Sequence, residues 1–491
     1  MFTKADHRRP VLSRRALFLT VFWTVLGACL LAGCSRSSRP NVLWITMDSL
    51  RSDHLGCYGY DRAHTPHIDG LAGEGVLFQQ CVSQASYTRI SVPSMITGKY
   101  PYFLNMRLLH GDLDTAHVTV AEAMAAAGYF TCAIAEPWPS GFFQGIETVD
   151  FQDRETTKKT RRCLEILRDL DERPFFIWLY YWDPHAPYQP PERYLEIIDQ
   201  QTGGAAGHTP QERRLPAVRG SNLLLLAQLN RGAVTLTEAQ RSELVRLYDA
   251  EIAFVDDGIG QVAAALKEMG LWDDTLIILS ADHGEAFGEH GLYYHSHSLY
   301  EEEVRVPCIV KPPRSRPPVR EITGMVRNMD VPLTILDYCG VPALEDVQGR
   351  SLRPFIDSGR SPRLPSCLET HSAQKKRHLM AYRTEDYKLI YQLAPATAEL
   401  YDLKADPGER NDLLRTDPAG PRDADNRGTA HRPTGDGLTV GQPDARTLEG
   451  TLSAEMLAAL RAGSLEELEL GPAAGMDPQT REQLKALGYI D

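Results

Sequence analysis

Three runs of apolar residues in this chain stop abruptly on a polar side chain of the metal-ligating kind. Residues 275–281 are largely aliphatic and end at Asp282-His283-Gly284-Glu285. Residues 41–47 run into Asp48, and residues 175–182 run into Asp183-Pro184-His185. A short continuous apolar run closed by turn residues predicts a strand buried on both faces, as in a parallel sheet. Open α/β sheets place their ligands beyond the carboxyl ends of the strands, so three such ends predict one convergent site.

The remaining pattern fits an α/β fold with a mostly parallel central sheet. Further strands are predicted at 76–82, 129–135 and 304–310, and an Ala-rich helix at 118–127 closes at Gly128. A helix near 65–72 has Pro66 at its start, where the missing N–H costs nothing. Residues 244–269 predict a long amphipathic helix, with Leu244, Leu247, Ile252, Val255, Ile259, Val262 and Leu266 on one broad apolar face. It leads directly into the 275–281 strand, and another helix is expected over 330–340. Residues 87–98 bring a cluster of hydroxyls into a short helix ended by Gly98, and 200–240 read as an insertion lying over the site.

The texture then changes. Within 366–413, short strands at 378–382, 387–391 and 399–403 predict a small antiparallel subdomain appended to a catalytic domain of residues 41–365. Residues 414–449 are rich in Pro, Gly and Asp with little to bury, which predicts a disordered loop, and helices close the chain over 450–491.

The first 34 residues change the picture in another way. Lys4, Arg8, Arg9, Arg14 and Arg15 precede an apolar stretch at 16–33, and Leu31-Ala32-Gly33-Cys34 has the form of a lipobox. The expectation is a lipoprotein signal segment over 1–34, lipidated at Cys34, followed by a polar tether over 35–40. The competing reading is a transmembrane anchor of similar length. Ser13-Arg14-Arg15-Ala16-Leu17 also has the outline of a twin-arginine export address. All these readings place the globular part outside the cytoplasm, as an exported, membrane-anchored protein of a bacterial cell envelope.

With 491 residues, 43% hydrophobic and 24% charged, the chain can bury a large core. A formal charge of -13 argues against a nucleic-acid partner, which would require a basic face. Nine cysteines stand without CxxC pairs, which implies neither a zinc ribbon nor a dense disulfide framework.

The candidate chemistry lies at the strand ends. Asp48, Asp282 and His283 are metal-ligand types. Thr88 and Ser91 offer hydroxyls near a helix N-terminus, where the dipole favours an anion; plain capping is the simpler reading of either one. His290, His295 and His297 crowd the ten residues after Phe287. So many imidazoles so near Asp282-His283 exceed what a solvated loop holds by chance.

Taken in order, several motifs resemble the sulfatase family, whose fold is alkaline-phosphatase-like: a three-layer sandwich around a mostly parallel sheet. They are Pro40-Asn41-Val42 through Asp48, Asp53-His54-Leu55-Gly56-Cys57-Tyr58-Gly59, Thr65-Pro66-His67-Ile68-Asp69-Gly70, Ile96-Thr97-Gly98-Lys99-Tyr100-Pro101, Asp183-Pro184-His185, Ser280-Ala281-Asp282-His283-Gly284-Glu285, Leu299-Tyr300-Glu301-Glu302 and Glu399-Leu400-Tyr401-Asp402-Leu403. The resemblance implies two-step cleavage of an ester at a tetrahedral anion. Asp48, Asp282 and His283, with the nucleophile hydroxyl, would bind a divalent cation; the ligand types leave Ca, Mg, Mn and Zn open. His185 and His295 or His297 would contact the anion or the leaving group.

The departures from the family pattern carry as much information. Formylglycine sulfatases have Cys or Ser followed by x-Pro-Ser-Arg. Aligning on Ile96-Thr97-Gly98 puts Thr88 at the nucleophile position, whereas counting by Ser91-Val92-Pro93-Ser94 puts Ser91 there. Thr cannot become formylglycine. The family's Lys-Trp-His segment is replaced by Glu136-Pro137-Trp138-Pro139. The His295 spacing is more similar to the Thr-nucleophile phosphoethanolamine and lipoteichoic-acid transferases. Three readings follow: a metal-dependent hydrolase of a sulfate- or phosphate-type ester in the cell envelope, a phospho-transferase acting through Thr88, and a non-catalytic binding lipoprotein. The substrate implied is a small, or glycan- or lipid-linked, anionic ester.

Overall fold

All three apolar runs are strands, and their register does the positioning. In the computed structural model the described residues are 39–415, without 105, 107–111, 153, 203–207, 217–221, 315–316, 373–376 and 393–396. Cys34, the 1–34 segment, all but the start of the 414–449 loop and the 450–491 helices lie outside the described residues.

The main sheet contains β1 (Asn41–Met47), β2 (Val76–Val82), β3 (Phe130–Ile134), β4 (Thr148–Asp150), β5 (Phe175–Tyr181) and β6 (Thr275–Ala281). A small ribbon follows, formed by β7 (Ala286–Phe287) and β8 (Tyr293–Tyr294), and then β9 (Arg305–Val306), β10 (Cys308–Lys311) and β11 (Glu321–Arg327) return to the sheet. The strand order is β11-β2-β10-β6-β1-β5-β3-β4, with β9 beside β2. β1 lies between β5 and β6 and is parallel to both, and β10 runs antiparallel to its neighbours. Met47 pairs with Ala281 on one side and with Tyr181 on the other. Asp48 and Asp282, each the next residue, therefore leave the sheet at one level.

Helices cover both faces. Helices Pro66–Glu74, Thr156–Arg168 and Glu192–Thr202 pack on the long helix Glu238–Glu268. Leu43, Ile45 and Ile277 meet Leu71, Ile259 and Leu266 of that layer. The alternate side chains point the other way. There Trp44 stacks on Trp178 at 5.4 Å, with Trp138 5.6 Å from Trp178. Helices Thr88–Thr97, Val120–Ala126 and Val331–Cys339 contact one another in the second layer. Each fully buried Leu, Ile or Val contributes about 1.5–3 kcal/mol.

The C-terminal sheet is antiparallel in the order β12 (Ser366–Ser372), β13 (Arg377–Arg383), β14 (Tyr387–Gln392) and β15 (Thr397–Asp402). Its period-two pattern is buried on both sides. Met380, Tyr382, Leu389 and Leu400 cluster with Tyr100 and Met329. Leu379, Ala381, Ile390 and Tyr401 cluster with Val82, Leu299 and Met325.

Two boundaries differ from the sequence reading. The strand expected over 304–310 is broken: Val304 ends a helical turn, and β9 and β10 are separated by Pro307, which has no N–H for the ladder. The helix expected from 244 begins at Glu238, because Thr237 and Gln240 form a capping box before the apolar face starts. The 200–240 segment includes helix Asn222–Asn230, whose Asn230 Nδ2 donates to the Tyr293 carbonyl at 2.6 Å beside the site.

Candidate active site

Asp48, Asp282 and His283 are fully buried and bring three ligand atoms within 4.8 Å of one another. His283 Nε2 lies 3.7 Å from Asp48 Oδ1 and 3.4 Å from Asp282 Oδ2. His283 Nδ1 donates to the Gly284 carbonyl at 2.9 Å, which leaves the Nε2 lone pair facing the two carboxylates. Asp282 accepts from the Ser49 amide at 3.2 Å, from the His283 amide at 2.9 Å and from the Tyr180 hydroxyl at 3.0 Å. Asp48 Oδ1 accepts from Ser49 Oγ at 2.9 Å, while Oδ2 is buried with no hydrogen-bond partner among the described residues. Burial first, then the Asp282 charge, pushes the Asp48 carboxyl well above the usual range, with Tyr180 and Ser49 acting the other way. A cation between the carboxylates would relieve both effects and would meet the orphaned oxygen. The donor set of two carboxylates and one imidazole fits a divalent metal.

Helix Thr88–Thr97 starts at this group. Thr88 Oγ1 donates to His283 Nε2 at 3.0 Å, and Ser91 Oγ turns back to the Thr88 carbonyl at 3.4 Å. Of the two hydroxyls, only Thr88 reaches the Asp48, Asp282 and His283 group. Gly98 closes the helix with φ 71°, in the left-handed region.

A row of rings leads away from His283. His295 is 4.2 Å from His283 between ring centroids, and His185 is 5.0 Å from His295. His295 Nδ1 donates to Glu285 Oε1 at 3.1 Å, and Tyr188 holds the other Glu285 oxygen at 3.0 Å. His185 Nδ1 donates to the Ala186 carbonyl, and its Nε2 accepts from the Tyr294 hydroxyl at 3.0 Å. Burial, then the nearby His283, lowers His185 to about 3 and holds His295 well below the usual range, so both imidazoles are neutral. Ser49, Tyr294 and Ser296 have φ of 59°, 73° and 66°. Left-handed conformations of non-glycine residues cost about 1–3 kcal/mol each and cluster where side chains must be aimed.

The structure does not bring every candidate together. His297 lines a cavity of about 280 Å³ under the C-terminal sheet with Tyr300, Leu379, Ile390 and Glu399. The third strand end supplies His185 but no carboxylate: Asp183 Oδ2 instead caps helix Thr156–Arg168 through the Thr156 amide at 3.2 Å and hydroxyl at 2.8 Å.

A buried cation close to the site was not foreseen. Lys159 Nζ donates to Glu136 Oε1 at 2.6 Å and to the Tyr180 carbonyl at 2.8 Å, directly behind the tyrosine whose hydroxyl holds Asp282. Burial draws the Lys159 ammonium below its ordinary range, and Glu136 opposes that. The available signal was the helix register: Thr156, Lys159, Thr160, Cys163 and Leu167 form its buried face, and a lysine there needs a partner.

Residues 40–341 match the Sulfatase family model. The chain belongs to the sulfatase family. Residues 288–420 also match the model described as N-sulphoglucosamine sulphohydrolase, C-terminal. The N-acetylglucosamine-6-O-sulfatase of Bacteroides thetaiotaomicron is 25% identical over 488 residues, covering 79% of this chain and 86% of that protein. A multifunctional alkaline phosphatase superfamily protein of Trinickia caryophylli is 26% identical over 485 residues, covering 78% and 92%. The phosphonate monoester hydrolase of Agrobacterium radiobacter has the same fold, with a TM-score of 0.66, 20% identity, and coverage of 87% of this chain and 96% of that one. This protein is thus a sulfatase-family hydrolase, with the alkaline-phosphatase-like architecture expected. Within this family member, Glu136 occupies the segment where the family pattern has lysine, and Lys159 reaches it from helix Thr156–Arg168.

Proposed function

We propose that this protein is a metal-dependent hydrolase that uses the Thr88 hydroxyl directly to cleave a phosphate- or sulfate-type ester, with the phosphorus centre favoured. The observation that carries this reading is Thr88 at the head of its helix, 3.0 Å from His283 Nε2. A divalent cation held by Asp48, Asp282 and His283 would supply Lewis-acid polarisation of the ester oxygens. Thr88 Oγ forms the bond to the central atom while the ester oxygen leaves with a proton. Water then cleaves the Thr88 ester in a second step. His295, oriented through Nδ1 by Glu285, keeps an acceptor Nε2, the form that takes a proton from a hydroxyl or a water and returns it to a leaving oxygen. Tyr294 and His185 form a polar wall beside it.

The threonine argues for phosphorus over sulfur. A phosphothreonine is cleared by water attacking phosphorus, whereas a sulfated threonine has no carbonyl hydrate to expel sulfate, the route that formylglycine provides. The likeness to a multifunctional alkaline phosphatase superfamily protein fits a site not confined to sulfate esters; the likeness to a glycan sulfatase supports a sugar-linked ester as the alternative substrate class. The test is a panel of aryl sulfate, phosphate monoester, phosphate diester and phosphonate monoester, each with Mg, Ca, Mn and Zn. A phosphate diester or phosphonate should turn over fastest and only with metal; fastest turnover of the aryl sulfate would overturn the choice.

We further propose that the enzyme works in the cell envelope, anchored through lipidated Cys34. The lipobox supports this reading. Among the described residues no helix is long and apolar enough to cross a membrane.

A further inference from the structure

A second group of ligating side chains stands on the C-terminal sheet. Glu369 and His371 lie two residues apart on β12, so both point to one face of the sheet. His378 is the direct cross-strand partner of His371 on β13. Same-face neighbours two apart and a cross-strand partner make a triangle of Cβ atoms within reach of one ion. The side chains use it: His378 Nε2 is 2.7 Å and His371 Nε2 3.2 Å from the same oxygen, Glu369 Oε1. The two imidazoles are stacked at 3.9 Å between centroids. Their three ligand atoms lie within 4.8 Å of one another.

Hydrogen bonding from the two imidazoles serves only one oxygen of the Glu369 carboxylate. Here both converge on Oε1, while Oε2 is buried with no hydrogen-bond partner among the described residues. An unsatisfied buried acceptor costs about 1–3 kcal/mol. Glu369 is 3% exposed, whereas the His371 and His378 side chains are 19% and 25% exposed, so the group is buried on the carboxylate side and open on the imidazole side.

We propose that Glu369, His371 and His378 hold a second divalent metal ion, of the zinc class, distinct from the Asp48, Asp282 and His283 group. Two imidazole nitrogens and one carboxylate suit zinc, cobalt or nickel rather than magnesium or calcium, which prefer oxygen. Three protein ligands leave positions open on the exposed side for water or an anionic group. The site also has a mechanical connection to the nucleophile. The Glu369 amide donates to the Gln84 carbonyl at 2.9 Å, Ser86 Oγ donates to Thr370 Oγ1 at 3.1 Å, and the Ser86 carbonyl accepts from the Ser296 amide at 2.8 Å. An ion clamping β12 to β13 would therefore fix the segment that leads from β2 into Thr88 and packs beside His295.

The test is zinc binding to the full chain after stripping with chelator, read by elemental analysis and calorimetry, with cobalt absorption as a spectroscopic signature. The parent should bind one zinc more than His371→Ala or His378→Ala, while Asp282→Asn keeps that ion and loses the other. Glu369→Gln, which preserves shape, should weaken this zinc by roughly tenfold or more with circular dichroism unchanged. Excess magnesium should not displace it. If the parent, His371→Ala and Glu369→Gln bind the same number of zinc ions with equal affinity and identical cobalt spectra, or if the extra ion appears only at millimolar zinc, the proposal is overturned.

Discussion

Thr88 Oγ1 donates a 3.0 Å hydrogen bond to His283 Nε2, which joins the first residue of one helix to the residue two places beyond the end of β6. That contact is why we propose Thr88 rather than Ser91 as the nucleophile. Thr88→Ala should lower the rate by at least ~10³-fold, about 4 kcal/mol of barrier. Ser91→Ala should lose much less, because among the described residues Ser91 Oγ hydrogen-bonds to the Thr88 carbonyl alone. Mass spectrometry of a trapped intermediate should place the adduct on Thr88; formylglycine at position 91 would refute the assignment.

Asp48→Asn and Asp282→Asn should each abolish bound metal at this group, and activity with it, while the fold persists. An amide keeps the volume of the carboxylate, and relieves the repulsion that now raises Asp48. Elemental analysis beside circular dichroism checks this, and undiminished metal in both variants would contradict it.

How much of this was legible beforehand depends on how local each cause is. Asp48 and Asp282 were readable because each ends an apolar strand, and parallel pairing of Met47 with Ala281 brings them level without further information. The short strand-like runs at 378–382 and 387–391, separated by turn residues, likewise announced their own sheet. The choice between Thr88 and Ser91 was not readable, since both hydroxyls sit within the first turns of one helix and only its start point separates them. Lys159 and Glu136 are 23 residues apart on different elements, so neither announces the other. The Glu369, His371 and His378 group requires the β12–β13 register, and β12 has no apolar alternation strong enough to predict it. Pro307 divides an otherwise convincing strand, a local signal that outranked hydrophobicity.

The proposed membrane attachment rests on a different observation, the lipobox. A single acyl chain anchors only marginally, whereas a multiply acylated amino-terminal cysteine holds a domain firmly. Cys34→Ala should abolish fatty-acid labelling and release the enzyme from the membrane fraction. Unchanged labelling and fractionation would rule out Cys34 as the anchor.

His290 should make stability depend on pH on the alkaline side. Burial alone would lower it, but the 2.8 Å contact to Glu302 and the 2.9 Å contact to the Glu409 carbonyl raise it to about 9. A folded-state value above the unfolded one stabilises fully below the unfolded pKa, and that contribution fades as pH rises through the folded value. Discounted for partial solvent screening, it is about 1–2 kcal/mol. Urea midpoints should therefore fall between about pH 6.5 and 9 in the parent, and much less in His290→Asn. Parallel profiles for the two would show that this pair does not contribute.

The last prediction concerns the charge pair behind the site. Lys159 and Glu136 are 0% and 4% exposed at their side chains and 2.6 Å apart, with the Tyr180 ring 5.9 Å from the Lys159 ammonium. Desolvating two charges offsets most of their attraction, so the pair as a whole adds little stability. Removing one partner strands the other. Lys159→Met and Glu136→Met should each destabilise the protein by about 3–5 kcal/mol. The lysine variant should lie at the lower end, because Arg154 stands 3.5 Å from Glu136 and can take up part of the charge. The double variant Glu136→Met with Lys159→Met should recover most of the loss, since no unpaired ion remains. Activity should not recover in parallel. Lys159 also holds the Tyr180 carbonyl, and the Tyr180 hydroxyl holds Asp282, so the double variant should fold well yet bind metal at that group more weakly than the parent. Urea unfolding and metal titration on the three variants separate the two roles: additive stability losses would exclude the stranded-charge explanation, and parent-like metal affinity in the double variant would exclude the link through Tyr180.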